Sequence, residues 1–296
     1  RSGRESMSVE GKVVLITGAA RGMGREHVRG FLAAGAKVVA ADISWSPSGV
    51  SGDDYEFAQE LASNPNVQVE TMDMTLDSHV TRTFESVMAR FGTVDAILNN
   101  GGVRQRDLYP PSGASWTIET DISEWQRMFE THVFGSVRVI KTFVRPMLEK
   151  GRGSIINIGS GSWGGQNPAS REMPYKAAKA ALATMTMYLA HELKSHGVAA
   201  NLLIPGHTRS TGSDEQEHGR AEIHAQEHPE AAPLLRVRLR PDHVVPAAIY
   251  LAGQDASGVT GTEVMALQWN ADNGLGGAEK WGYEPDLEAA RLAGRL

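Results

Sequence analysis

Tyr175 and Lys179 stand four residues apart in an Ala-rich stretch, a spacing that puts both on one face of a helix. A phenol has an ordinary pKa of about 10, so near neutral pH it loses its proton only with help. A neighbouring ammonium supplies that help by favouring the phenolate. Such a pair can take a proton from an alcohol or, in reverse, give one to a carbonyl oxygen. Alone, the spacing equally describes an exposed pair on any helix. A second group upstream changes its weight. Thr17-Gly18-Ala19-Ala20-Arg21-Gly22-Met23-Gly24 links an apolar run to a helical stretch. Glycines there let backbone approach a pyrophosphate, and the helix N-terminus offers N–H donors and partial positive charge. Gly18, Arg21, Gly22, Met23 and Gly24 are therefore candidate cofactor-binding residues.

Asp42 closes the second apolar run, 18 residues after Gly24. That spacing suits an acid that accepts hydrogen bonds from a ribose. A carboxylate there also repels a 2′-phosphate, which favours NAD over NADP. Arg21 is the counterweight, since a guanidinium pairs well with that phosphate. The plain alternative for Asp42 is a turn residue at a strand end.

The elements that must position these groups are legible in the pattern. Short β-branched runs cover Lys12–Thr17, Lys37–Asp42, Val67–Asp73, Ala96–Asn100, Ser154–Gly159, Ala199–Ile204 and Glu263–Leu267. They are too short for helices, and their continuous apolarity suits buried parallel strands. Between them the pattern predicts helices over Gly24–Ala34, Asp54–Ser63, Ser78–Phe91 with Ser78 as N-cap, Ser123–Lys150, and Tyr175–His196. Pro174 precedes the last of these and Gly197 follows it, as helix entry and exit allow. The alternation predicts an α/β fold: one doubly wound parallel sheet of about seven strands with helices on both faces. Ser44–Gly52, Val103–Asp121 and Gly206–Pro241 break the rhythm beyond strand ends, where this architecture binds ligands.

The chain's 296 residues, 41% hydrophobic and 22% charged, suit one globular α/β domain able to enclose a cofactor. A net charge of −6 without a basic stripe argues against nucleic acid as a partner. The absence of cysteine excludes disulfides, thiolate metal sites and cysteine nucleophiles, and fits a cytoplasmic location. No apolar stretch approaches the ~18 residues of a membrane span, and Arg1–Ser6 lacks the apolar region of a signal peptide.

The glycine turn, Asn99-Asn100-Gly101-Gly102, the serine after Ile155–Gly159, Tyr175-Lys176-Ala177-Ala178-Lys179 and Pro205-Gly206 occur in the order of one family. From about Val9 to Gly274 the chain resembles the short-chain dehydrogenases/reductases. The resemblance implies a Rossmann-type domain over residues 7–274, with a C-terminal extension over 275–296. It implies an NAD-dependent oxidoreductase acting on a small alcohol or ketone, and a homotetramer. Tyr175 would be the acid/base, with Lys179 binding the nicotinamide ribose and a serine hydroxyl bonding the reacting oxygen. Asp73 and Met74 would meet the adenine, and Asn99 and Gly101 would line the cofactor. Pro205 and Gly206 would contact the nicotinamide, with Ser210 where the family often places a carboxamide-binding Thr. A cofactor-binding sensor that kept the fold and lost the chemistry is the alternative.

Three positions depart from the family pattern. Its serine usually lies 13 residues before the tyrosine, which is Ser162 here, whereas the strand end points to Ser160, 15 residues before. Strand register favours Ser160. His132 replaces the family's Asn. It could keep a proton relay and add a pH dependence near neutrality, or be a buried residue with one hydrogen bond. Gly101 replaces Ala, which is expected to alter packing only. Trp163, Tyr109 and Trp116 are candidates for an apolar substrate pocket. His218, His224 and His228 sit in a polar segment that reads as solvated loop, and no metal site is expected.

Overall fold

The computed structural model describes residues 8–45, 54–103, 115–161, 171–209 and 237–292. Among the described residues seven strands build one sheet: β1 (Val13–Thr17), β2 (Lys37–Asp42), β3 (Val67–Thr71), β4 (Ala96–Asn99), β5 (Gly153–Ile158), β6 (Val198–Ile204) and β7 (Glu263–Met265). Their order is β3-β2-β1-β4-β5-β6-β7, and every neighbouring pair is parallel. The predicted runs are thus the observed strands, with ends shifted by one or two residues. The chain winds outward from β1 to one edge, then from β4 to the other. Connections diverge between β1 and β4 and leave a crevice at the carboxyl ends.

The helices are α1 (Gly22–Ala33), α2 (Asp54–Ala62), α3 (Asp77–Phe91), α4 (Ile122–Phe129), α5 (Ser136–Phe143), α6 (Arg145–Lys150), α7 (Met173–Leu193), α8 (Val245–Gly253), α9 (Ala266–Asp272), α10 (Ala278–Trp281) and α11 (Glu284–Leu292). The strand period of two sorts the core into two layers. Val14 and Ile16 of β1 pack with Val28 and Phe31 of α1 and Ala248 and Leu251 of α8. Val13 and Leu15 face the other way, onto Val80 and Val87 of α3 and Val139 and Phe143 of α5.

Two helix expectations need correction. Ser78 is not an N-cap: α3 opens at Asp77, after Leu76, and no side chain caps it. Asp77 instead places a charge in the first turn, where the helix dipole favours it. Ser123–Lys150 is not one helix. After α4 a π-helical turn spans Glu130–Gly135, then α5 and α6 follow. Gly135 lets this turn sit against Met74: a methyl added there would lie 3.0 Å from Met74 Cγ. Pro146 falls in the first turn of α6, where its missing N–H breaks no helical bond. In α7 the helix takes in Pro174 and, after a 3-10 turn, stops at Gly197 with φ +75°.

The C-terminal extension folds back on its own chain. Leu239 bridges Thr208 on one side and Gly282 on the other. The Arg240 N–H donates to the Trp281 carbonyl at 2.8 Å, and the Tyr283 N–H to the Arg238 carbonyl at 2.7 Å. Arg238 grips Asp286 with Nε at 2.7 Å and Nη2 at 2.8 Å, both side chains largely buried. A two-pronged guanidinium–carboxylate contact of this kind is strong and geometrically demanding. The clasp holds the strand-like residue Leu239 against the chain leaving β6. Asp286→Ala is expected to lower unfolding free energy by about 2 kcal/mol, read from urea denaturation. An unchanged midpoint would show the contact to be incidental.

Candidate active site

The crevice is built from backbone first. Gly18 has φ +64° and Gly22 φ +50°, values that β-carbon-bearing residues adopt only with strain. A methyl on Gly18 would lie 2.7 Å from Gly101 Cα, so the ends of β1 and β4 meet main chain to main chain. Thr17 Oγ1 accepts from the N–H groups of Asn100 (3.1 Å) and Gly101 (2.9 Å). Asn100 Nδ2 donates back to the carbonyls of Thr17 (3.0 Å) and Gly18 (3.1 Å). A methyl on Gly24 would fall inside the Gly18 carbonyl oxygen. Arg25 caps the turn from outside, donating to the Ala20 carbonyl from Nε at 2.9 Å and Nη2 at 2.7 Å.

Asp42 closes the other side of the turn. Its Oδ2 accepts from the Ala20 N–H at 2.9 Å and its Oδ1 from the Ser44 N–H at 3.3 Å. Burial pushes its carboxyl pKa up, against those hydrogen bonds and the charge of Arg21. Arg21 precedes the first turn of α1, and Met23 packs on the core layer behind it. Asp73 Oδ1 accepts from the Thr75 N–H (2.9 Å) and hydroxyl (2.7 Å). Met74 is buried beneath Gly101, whose added methyl would lie 3.2 Å from the Met74 sulfur. The Gly at 101 thus relieves a tight contact.

Asn99 turns its side chain into the sheet. Nδ2 donates to Asn157 Oδ1 at 2.9 Å, Asn157 Nδ2 donates to Thr186 Oγ1 at 2.8 Å, and Thr186 donates to the Leu182 carbonyl at 2.7 Å. This buried chain ties β4, β5 and α7 together, and through it the crevice floor is joined to the helix that carries Tyr175. Sequence reasoning passed over that chain and the locking roles of Thr17 and Asn100. Their only local signal is an amide or hydroxyl at a strand end.

α7 carries Tyr175 and Lys179. Lys179 is buried, and its Nζ donates to the carbonyl of Ile158, the last residue of β5, at 2.7 Å. Burial pulls its pKa down to about 7, with the charge of Lys176 adding to the effect. Tyr175 lies edge-on to His132, ring centroids 5.4 Å apart at 78°. Lys176 Nζ and Lys179 Nζ lie 5.5 and 5.9 Å from the Tyr175 ring centre. Ser160 joins them, its Oγ accepting from Lys176 Nζ at 3.3 Å. Ser160, Tyr175 and Lys179 are therefore gathered at one place. Ser162, Trp163, Tyr109, Ser210 and the three loop histidines lie outside the described residues. Trp116 is half-exposed under the Arg171 guanidinium, 4.0 Å from its ring centre.

His132 does not titrate near neutrality. It is buried, and desolvation pulls its pKa to about 3, with Lys179 acting in the same direction against the Val103 carbonyl. Nε2 pairs with that carbonyl at 2.7 Å. The neutral ring thereby donates from Nε2, and Nδ1 is left as a buried acceptor without a partner among the described residues. Pro205 and Gly206 follow β6. Gly206 has φ +76°, and the Pro205 carbonyl lies 2.6 Å from Nε2 of buried His243, whose Nδ1 faces the Arg240 carbonyl at 2.6 Å.

The model of the short chain dehydrogenase family matches residues 12–221. The chain belongs to the short-chain dehydrogenase/reductase family. Fluoren-9-ol dehydrogenase of Terrabacter sp. is 37% identical over 292 residues, covering 95% of this chain and 78% of that protein. L-fucose dehydrogenase of Bos taurus is 33% identical over 259 residues, covering 86% and 87%. The crystal structure of a short-chain type dehydrogenase/reductase from Mycobacterium marinum superposes with TM-score 0.70 at 25% identity, covering 88% of this chain and 95% of that one. As a family member the chain is an oxidoreductase that uses a nicotinamide dinucleotide. The cradle fits such a group: without β-carbons, Gly18 and Gly24 let the turn close on Gly101 and on itself at the N-terminus of α1, whose N–H groups would meet a pyrophosphate. Among the described residues, no helix is long and apolar enough to cross a membrane, and no cluster of His, Asp and Glu could hold a metal.

Gly24→Ala is expected to weaken dinucleotide binding at least ten-fold by calorimetry, because the added methyl must push the turn off the helix. Equal affinity would show that the turn has room. Lys179 also leaves a thermodynamic signature. Its pKa of about 7 in the folded chain lies below its ordinary 10.5. Between those values the unfolded chain binds more protons, so this group makes stability rise with pH, and its penalty is complete below the lower value. Lys179→Met, without cofactor, should gain stability over the parent at pH 7 and lose that advantage by pH 10. A constant difference across the range would refute the assignment.

Proposed function

We propose that this short-chain dehydrogenase/reductase oxidises a secondary alcohol to a ketone with NAD, and runs the reverse reduction. The observation that supports this best is the Tyr175 ring with two ammonium groups within 6 Å of its centre, one of which, on Lys176, also holds the Ser160 hydroxyl. NAD, when bound, would supply the acceptor for the hydride that leaves the alcohol carbon. The hydroxyl proton passes to the phenolate oxygen of Tyr175, which Lys179 stabilises by its charge. Ser160 donates its hydroxyl hydrogen to the same substrate oxygen and so fixes its place. Lys179 also has ammonium hydrogens beyond the one given to Ile158, and these are available to the nicotinamide ribose. Gly18, Arg21, Gly22, Met23 and Gly24 would hold the pyrophosphate, Asp73 and Met74 the adenine, and Gly101, Pro205, Gly206 and Ser210 the nicotinamide side, with Asn99 contributing backbone.

NAD is preferred to NADP because Asp42 holds its carboxylate at the mouth of the turn through Ala20 and Ser44. A 2′-phosphate would have to displace those bonds or sit against the charge. The similarity to fluoren-9-ol dehydrogenase suggests a flat cyclic secondary alcohol as substrate. The same reading takes the protein to be a cytoplasmic homotetramer. Exposed Ile122 and Phe134, beside a groove lined by Trp125 and Phe129, supply an apolar face for a second copy.

The test is NADH formation from fluoren-9-ol and a panel of cyclic secondary alcohols, with Tyr175→Phe as control. Turnover should fall at least a thousand-fold in the variant while NAD affinity holds within about three-fold. NAD bound tightly with no turnover of any alcohol would overturn the dehydrogenase reading. Better turnover with NADP would overturn the role given to Asp42.

A further inference from the structure

Lys176 lies between the two residues of α7 that the family motif requires. Its ammonium donates to Ser160 Oγ at 3.3 Å, stands 5.5 Å from the Tyr175 ring centre, and lies 3.9 Å from Glu172 Oε2. The lysine side chain is 24% exposed and that of Glu172 only 8%. The charge is thus partly withdrawn from water and held between a buried carboxylate and the candidate serine. The Lys176 N–H donates to the Glu172 carbonyl at 2.9 Å, so the first turn of α7 sets where the side chain starts.

The donor inventory gives the contact a direction. An ammonium has three hydrogens and no lone pair, whereas a serine hydroxyl has one hydrogen and two lone pairs. Lys176 can only fill a lone pair on Ser160, and the serine hydrogen must point elsewhere. The space beside Tyr175 is where a reacting oxygen would stand. The same charge reinforces Lys179 on the phenol. His132, neutral, adds no third positive charge beside the phenol.

We propose that Lys176 is a positioning residue of this active site: it fixes the direction in which Ser160 donates, and it supplies a second positive charge beside Tyr175. The proposal rests on the dehydrogenase reading above. The Tyr175 ring has Lys176 and Lys179 of α7 and His132 of the π-helical turn near it, with Glu172 and Ser160 joined to it through Lys176. The two lysines favour the phenolate and Glu172 opposes it. The sign for each variant follows. For alcohol oxidation kcat/KM rises with pH as Tyr175 ionises, so losing a cation moves that rise to higher pH, and losing the anion moves it lower.

The experiment measures kcat/KM against pH for the full-length protein with NAD and an alcohol it turns over. Lys176→Met should lower kcat/KM about ten-fold at pH 7 and shift the rise upward by about one pH unit. Lys176→Arg should restore most of both, because a guanidinium also donates without accepting. Glu172→Gln should shift the rise downward. NAD affinity measured by fluorescence should stay within about two-fold in all three, which separates the effect from misfolding or a damaged cradle. A Lys176→Met profile superimposable on the parent would overturn the proposal. So would a uniform loss at every pH that arginine does not rescue. If the parent turns over no alcohol, the dehydrogenase reading fails and this proposal with it.

Discussion

The contact between Gly18 and Gly101 is the constraint on which the rest of the site depends. Two parallel strands that wind to opposite edges leave a crevice between their ends, and here the walls touch through backbone alone. Thr17 and Asn100 lock that approach with four hydrogen bonds, all between side chain and main chain. A rigid glycine turn then presents α1's N-terminus to the crevice, and Asp42 closes it from β2. Were β1 and β4 to separate by even the width of a methyl group, the turn and the Asp42 contact would both lose their geometry.

The half of the crevice that holds Tyr175 and Lys179 is coupled to this half through buried polar groups. Asn99, Asn157 and Thr186 run from the end of β4 through β5 into α7. An amide pair inside a parallel sheet is costly unless each donor finds an acceptor. Here both donors do, and the result fixes the rotation of α7 relative to the strand ends. That rotation brings Lys179 onto the Ile158 carbonyl and Tyr175 against His132. Desolvation then acts on the proton states: it keeps His132 neutral and lowers the pKa of Lys179. On the far side of β6, His243 holds the Pro205 carbonyl, and Leu239 is backed by the C-terminal clasp. The extension thus braces the segment that leaves the crevice.

How much of this was legible along the chain differed by level. Parallel strands declared themselves because both their faces are buried, so their residues are apolar without alternation. Gly18, Gly24, Tyr175 and Lys179 were legible because their spacing within one element sets their geometry. The extent of the stretch from Ser123 to Lys150 misled, since apolar periodicity continues smoothly through a π-helical turn. Ser78 misled because its residue type is common both before and within a first turn.

The sequence by itself determined the order of strands and helices, the glycine turn at β1, the acid at the end of β2, and the tyrosine–lysine pair on one helix face. These depend on contacts within a few residues or on burial alone. Only the tertiary structure decided where Asn99 points, that His132 stays uncharged, that Lys176 reaches Ser160, and that the extension clasps Arg238 through Asp286. Each of those is settled by which distant element packs beside the residue and by how much water that packing excludes. No local pattern carries either quantity, because both arise only when the two layers close on the sheet.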